Sequence, residues 1–343
     1  MQAVILAAGK STRTYPLTLT RPKPLLKVSN KTILEHNLDA LRDIAEEVII
    51  VTGYKKNMIR EFIKKNNPGI KIKFLEQKAQ LGTGHAVSIL EDYIKDKFML
   101  MLGDNLYSKK DMGAISKYQY SILVKRVKNW QNFGVVKEKN NILIDIFEKP
   151  KEFISPLVSC GLFLLDSKIF SYLKDVKKSE RGEYELTDAL RILASSDTLH
   201  CIKSESCFQV TYPWDLLTAD IGLRNNKNVI GKASKINGNI INSTIGDNCT
   251  INGNIRNSII MDNTTIDKNS IVEDSIFGEN VHFNGQIIAE NNIYSIVKNK
   301  KIKVGRFGTV MGDKVNAEDV NITPGCKIWP NKNIRGKINH DIK

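Results

Sequence analysis

Arg13 and Lys23 are the first side chains whose setting suggests chemistry. They lie in a loop that follows the short apolar run Ala3-Val4-Ile5-Leu6 and reads Ala7-Ala8-Gly9-Lys10-Ser11-Thr12-Arg13, then Tyr15-Pro16 and Arg21-Pro22-Lys23-Pro24. An apolar run this short reads as a buried parallel strand. A buried strand emptying into a Gly-bearing, cationic loop is how an α/β sheet builds a phosphate site at its carboxyl edge. Small residues let backbone N–H groups approach a polyphosphate, and the arginine and lysine supply positive charge. The prolines around Lys23 restrict the loop and lower the entropic cost of holding that lysine in place. The spacing is neither Gly-x4-Gly-Lys-Ser/Thr nor Gly-x-Gly-x-x-Gly. The plainer alternative is an ordinary strand–turn–helix loop with scattered cations.

Two more stretches carry chemistry of the same kind. Glu76-Gln77-Lys78-Ala79-Gln80-Leu81-Gly82-Thr83-Gly84-His85-Ala86-Val87 reads as a strand end, a glycine loop and a helix start. An amide side chain there can donate to and accept from a pyrimidine edge, and a glycine backbone can approach it closely. His85 reads as a cap or packing residue of the helix start. Phe98 to Leu102 reads as another buried strand, ending in Gly103-Asp104-Asn105. A carboxylate just past a strand's carboxyl end can hold Mg²⁺ against a triphosphate, although an aspartate there is often only a turn residue.

The elements that must position these residues follow from periodicity. Residues 1–226 alternate strand-like and helix-like stretches, the pattern of an α/β domain. Lys31 to Ile44 is expected as a helix, with Leu34, Leu38 and Leu41 on one face. Glu47 to Val51 is expected as a strand, Met58 to Lys65 as a helix stopped by Asn67-Pro68-Gly69, and Ile70 to Leu75 as a strand. Ser121 to Arg126, Gly134 to Val136 and Ile142 to Phe147 add strands. Beyond Asn226 the grammar changes to six-residue steps of inward aliphatic or aromatic residues: Ile245 and Ile251; Ile260, Ile266 and Val272; Phe277 and Phe283. After an irregular interval from Ala289 to Lys303 the steps resume at Val304 and Val310, and again at Ile322, Ile328 and Ile334. Hexapeptide steps of this kind specify a parallel β-helix over 227–343, with bulges or loops where the register slips.

Composition excludes several classes. The 343 residues suggest two domains, and 41% hydrophobic content suffices for a sizeable core. No run has the length of a membrane span and no signal segment opens the chain, so a cytoplasmic protein is expected. The net charge of +14 comes from lysines spread along the chain without a nucleic-acid-binding signature. It fits solvated lysines, with some steering of phosphorylated substrates. The five cysteines, Cys160, Cys201, Cys207, Cys249 and Cys326, lack Cys-x-x-Cys spacing and are expected as reduced, buried thiols.

Leu6-Ala7-Ala8-Gly9-Lys10-Ser11-Thr12-Arg13 with Lys23-Pro24 resembles the Leu-Ala-Ala-Gly-x-Gly-Thr-Arg and Lys-Pro signature of nucleotide-sugar pyrophosphorylases (sugar-1-phosphate nucleotidylyltransferases). Ser11 stands where the second Gly is usual. Gln77 to Ala86 resembles the corresponding string of N-acetylglucosamine-1-phosphate uridylyltransferases, and Gly305-Arg306-Phe307-Gly308 with Pro324-Gly325-Cys326 resembles their archaeal-type bifunctional members. The resemblance covers nearly the whole chain. It implies a Rossmann-like nucleotidyltransferase domain with a mainly parallel mixed sheet, then a left-handed β-helix.

The resemblance also implies roles. Arg13 and Lys23 are catalytic cations, while Gln77 and the main chains of Ala8, Gly9 and Gly82 contact uracil. Gly134 lies beside the sugar, Glu148 accepts from its hydroxyls, and Lys149 binds its phosphate. Asp104 and Asp215, the latter in Tyr212-Pro213-Trp214-Asp215, clamp Mg²⁺. A helix N-cap is the other reading of Asp215. Within Arg181 to Asp188, Glu183 positions a loop, and Thr187 and Asp188 start a helix. The implied substrates are UTP and N-acetylglucosamine 1-phosphate. The alternatives are dTTP with glucose 1-phosphate, GTP with mannose 1-phosphate, and a silent regulatory subunit. Ser159 departs from the family's Asn and leaves the sugar open. The segment Glu290 to Ser295 lacks a histidine base and His282 reads as structural, so acetyl transfer by the β-helix is not expected. A homo-oligomer, with a trimer favoured, is implied through the β-helix.

Overall fold

The computed structural model describes residues 1–204 and 206–343. Contacts divide the chain into two compact units: residues 1–9 with 34–209, and residues 10–33 with 210–343. The second unit thus takes in, besides the repeats, the loop of Arg13 and Lys23 and the segment around Trp214-Asp215.

The first unit is built on a nine-stranded mixed sheet. Its spatial order is Lys71–Glu76, Glu47–Thr52, Gln2–Ala7, Phe98–Leu102, Leu157–Leu165, Tyr120–Arg126, Leu199–Lys203, Ile142–Glu148, Gly134–Lys139. The first four strands run parallel. Three of them are continuous aliphatic runs, and Ala3 to Ile5, Val48 to Val51 and Phe98 to Met101 have no solvent exposure. A strand covered on both faces has that composition. Parallel register sets Leu6 beside Val51 and Leu102, so the strands end at one edge. Backbone bonds tie that edge together: Tyr54 N donates to Ala8 O (3.0 Å), Gln77 N to Thr52 O (2.9 Å) and Gly103 N to Leu6 O (2.9 Å).

The helix expected over 31–44 is shorter, Ile33–Leu41. Lys31–Thr32 pairs instead with Lys27–Val28. The chain reverses at Ser29 and Asn30, whose φ values of 50° and 61° suit a two-residue hairpin turn. Helical spacing of the leucines could not detect a turn just ahead of it. The other expected strands and helices of this region form within a few residues of their expected limits.

In the second unit, short parallel strands stack in three rows. One row brings Ile245, Ile260, Phe277, Met311 and Ile328 into register. A second aligns Ile251, Ile266, Phe283, Ala317 and Ile334. All ten are buried and form one core. The stacking makes this region a parallel β-helix. Equivalent positions recur after 15 residues in early coils and 17 in later ones. Neither is a multiple of six, which is why the sequence register slips. Two expectations fail here. The interval expected as irregular is a β-hairpin of Glu290–Val297 and Lys300–Phe307. Val304 lies in that hairpin and not in a coil, and Met311, not Val310, enters the core row. Alternation along a hairpin and along a coil both place an aliphatic residue every second position, so spacing alone does not separate them.

All five cysteines are free and buried. Among the described residues no helix is long and apolar enough to cross a membrane.

His282 bridges coils, with Nδ1 against Asn316 Oδ1 (2.9 Å) and Nε2 against Asp267 Oδ2 (3.0 Å). The Asn316 contact holds its pKa above 6.5; burial opposes this and Asp267 adds to it. The stability it contributes is therefore complete below pH 6.5 and lost as pH rises through the raised value. The side chain is 42% exposed, so solvent screening limits the effect to roughly 0.5 kcal/mol or less. His282→Gln is expected to remove that part of the difference between thermal midpoints at about pH 5.5 and about pH 8.5. An unchanged difference would assign the pH dependence elsewhere.

Candidate active site

At the carboxyl edge of the first unit, Gln77 follows the Lys71–Glu76 strand and is buried. Its Nε2 donates to Gly82 O (3.0 Å) and meets His85 Nδ1 (3.0 Å). A carbonyl can only accept, so the Gly82 contact fixes the amide's orientation. His85 Nδ1 must then accept, which makes the imidazole the Nε2–H tautomer. Both amide hydrogens are committed, and Oε1 remains as the acceptor end. His85, expected to cap or pack the helix start, lies within the Thr83–Ser88 helix and accepts from the Gln77 amide. Nearby, Gln80 Nε2 donates to Ala8 O (2.9 Å), tying this loop to the Ala8-Gly9 corner.

The stretch Arg181 to Thr187 supports this loop from behind. Tyr184 N donates to Leu81 O (2.7 Å), and Tyr184 O accepts from Gly84 N (2.8 Å). Gly82 has φ +104°, and a Cβ there would lie 2.5 Å from Tyr184 O and 2.9 Å from Glu183 Cβ, so no side chain fits. Glu183 therefore touches the loop it was expected to position.

The same stretch reaches the expected sugar half. Gly134 pairs with Glu148 across the sheet, and a Cβ on Gly134 would meet Glu148 Oε2 and Thr187 Cγ2, each at 3.2 Å. The missing side chain leaves room for that carboxylate. Lys149 adopts φ +48°, a conformation rare for a long side chain, and its Nζ lies 2.7 Å from Glu148 Oε1. Arg181 sits among Glu185 (2.6 Å), Glu148 (3.6 Å) and Glu183 (4.0 Å). Burial pulls its pKa down, but the three carboxylates outweigh that and raise it. Thr187 Oγ1 is the single buried side-chain polar atom without a hydrogen-bond partner among the described residues. Buried polar atoms seldom lack a partner.

Asp104 directly follows Gly103 at the parallel edge, in the same unit as Ala8, Gly9, Gln77, Gly82, Gly134, Glu148 and Lys149. The next residue is fixed: Asn105 Nδ2 donates to Cys160 O (3.0 Å) and its own carbonyl accepts from Asn37 (2.8 Å).

The remaining three expected residues, Arg13, Lys23 and Asp215, belong to the second unit. Lys23 is buried and its Nζ donates to Val210 O. Asp215 opens the Asp215–Arg224 helix but does not cap it; its Oδ2 reaches back to accept from Thr211 N and Tyr212 N, both at 2.7 Å. Burial raises its pKa, opposed by those two N–H groups and by the charges of Lys23 and Arg13. A carboxylate kept beside two cations by backbone bonds is a hard oxygen donor fit for a divalent cation.

A buried parallel strand edge that bears an oriented amide is the frame of a nucleotide-using α/β transferase. A profile described as Nucleotidyl transferase matches residues 2–214, and one described as GMPPB C-terminal domain matches residues 223–342. The chain belongs to the nucleotidyl transferase family, and within it to the sugar-1-phosphate nucleotidyltransferases. It is 35% identical to the bifunctional protein GlmU of Methanocaldococcus jannaschii over 96% of this chain and 92% of that one. It is 38% identical to the protein of the same name from Methanococcus maripaludis strain C7, over 71% of this chain, and spans only 58% of that relative's length. The solved structure of a UDP-glucose pyrophosphorylase complexed with UDP-glucose shares the fold, with a TM-score of 0.59 at 23% identity over 66% of this chain and 99% of that one. Enzymes of this family use a divalent metal. Among the described residues no three His, Cys, Asp or Glu side chains gather to hold one. Binding through one or two carboxylates plus substrate phosphates needs no such group.

Because His85 is the second acceptor of the Gln77 amide, His85→Ala is expected to raise KM for the nucleotide several-fold while leaving the thermal midpoint within a few degrees. An unchanged KM in steady-state kinetics would remove His85 from nucleotide binding.

Proposed function

We propose that the enzyme transfers uridylyl from UTP to N-acetylglucosamine 1-phosphate, releasing pyrophosphate. The observation that carries the base assignment is the fixed Gln77 amide, whose remaining Oε1 accepts the N3–H of uracil. Neutral cytosine offers no proton at N3 and is refused. Ala8, Gly9 and Gly82 bring main chain to the base.

The reaction is an in-line displacement. An oxygen of the sugar 1-phosphate attacks the α-phosphorus of the triphosphate, the bond from that phosphorus to the bridging oxygen breaks, and the electron pair leaves with pyrophosphate. Such chemistry needs alignment and charge neutralisation more than a base. Arg13 and Lys23 supply cations to the triphosphate, and Lys149 pairs with the sugar phosphate once it leaves Glu148. Glu148 and Thr187 accept from and donate to sugar hydroxyls, with Gly134 keeping the ring's path clear. Asp104 and Asp215 would hold Mg²⁺, which supplies charge neutralisation for the triphosphate. A homo-oligomer assembled through the β-helix fits this reading.

Glucose 1-phosphate with dTTP is the second reading, and Ser159 favours it. Its hydroxyl accepts from Gly161 N (3.1 Å) within its own turn and is shorter than the family's Asn. A pyrophosphate-release screen of four nucleotides against several sugar phosphates decides between them. UTP with N-acetylglucosamine 1-phosphate is expected to give the highest kcat/KM, and turnover with none of the pairs would refute the assignment.

Asp104→Asn is expected to lower kcat by roughly 10²–10³-fold. Full activity would withdraw its metal role. Thr187→Val keeps the shape but removes an unsatisfied hydroxyl. KM for the sugar phosphate should rise several-fold while the thermal midpoint holds or increases. A lower midpoint with unaltered KM would make Thr187 structural.

A further inference from the structure

The loop that carries Arg13 and Lys23 runs along one corner of the β-helix. In successive coils that corner bears Asp247, Asp262, Glu279 and Asp313, each two residues past a core-row position. Three of these four carboxylates hold cations of the loop. Arg21 pairs through Nη1 with Glu279 and through Nη2 with Asp313 (2.6 Å), and Lys27 Nζ with Asp262 (2.5 Å). Asn30 Nδ2 then donates to Ile245 O (2.6 Å). The loop thus descends the column coil by coil, from 313 and 279 past 262 to 245.

Arg21 is buried, and so is Asp313. The column itself is rigid, because the other oxygens of the same carboxylates close the coil corners. Asp262 Oδ1 accepts from Asp247 N (3.0 Å), and Asp313 Oδ1 accepts from Glu279 N (2.8 Å). Between Arg21 and Lys23 lies only Pro22, whose ring fixes φ, observed at −72°. The 3-10 turn Lys23–Leu25 follows immediately. Fixing the guanidinium of Arg21 therefore fixes the backbone from which Lys23 projects.

We propose that Arg21, Glu279 and Asp313 are positioning residues for nucleotidyl transfer: the β-helix clamps Arg21 and thereby aligns Lys23 and the phosphate loop. The inference rests on the nucleotidyl-transfer reading for its catalytic consequence, but not for the clamp. It makes the β-helix part of the transferase site's framework, in addition to any assembly role.

The test uses the full chain. Removing Arg21 alone leaves the buried Asp313 carboxylate and the half-buried Glu279 unpaired and risks misfolding. The triple variant Arg21→Met, Glu279→Gln, Asp313→Asn removes all three charges together. It is expected to lower kcat tenfold or more with a smaller change in KM for the sugar phosphate, and to speed amide hydrogen exchange in residues 10–33. Exchange in the coil core is expected to stay as in the parent. Arg21→Lys, with both acids intact, is expected to keep most of the parent kcat. Parental kcat in the triple variant overturns the proposal, whether or not exchange accelerates. Unchanged exchange in residues 10–33 overturns it as well. Should the parent chain turn over no nucleotide and sugar phosphate, the functional reading fails separately, and the exchange measurement still decides whether the clamp exists.

Discussion

A guanidinium withdrawn from water needs its countercharge inside the protein, and Arg21 has two, Glu279 and Asp313. Removing one partner of such a buried pair costs about 3–5 kcal/mol, because the survivor stays charged and desolvated. The carboxylates involved do double service. One oxygen of Asp262 and of Asp313 receives a backbone N–H from a neighbouring coil, and the other receives a lysine or arginine of the loop. Stacking of the coils and placement of the loop are therefore set by the same atoms. Asp220 repeats the pattern further on: it accepts from Ser29 N and Thr244 Oγ1 at one oxygen and pairs with Arg224 at the other.

The first unit steadies its glycine loop chiefly through backbone bonds. There the stretch Arg181 to Thr187 is the common support. Tyr184 holds the glycine loop by backbone bonds, Arg181 gathers three glutamates, and Thr187 lies beside Gly134. The amide of Gln77 is oriented because that loop is held, so its orientation depends on a segment about a hundred residues downstream. The site residues themselves are few; most of the precision comes from what stands behind them.

Much of this was readable in the chain. Buried aliphatic runs ending in Gly or Asp announced the parallel strands and their functional edge, since only a doubly covered strand tolerates such composition. Hexapeptide steps announced the β-helix. The hairpin of Glu290–Phe307 was not readable, because its alternation mimics a coil, and neither was the ribbon that shortens the first helix. Gln77 was legible from its string. The part played by His85 was not, since a histidine at a helix start has several uses, and only the distance to Nε2 selects one.

The sequence by itself determined the residue chemistry: a cationic glycine loop, acids after strands, an amide beside a glycine turn, and repeats that can only stack. Those follow from local spacing and burial, which short-range physics fixes. Tertiary structure alone decided which charges meet. Arg21 lies 258 and 292 residues from its two acids, and Lys27 lies 235 from Asp262. No periodicity spans such intervals; the pairs exist because coil stacking brings one corner of the β-helix alongside the loop.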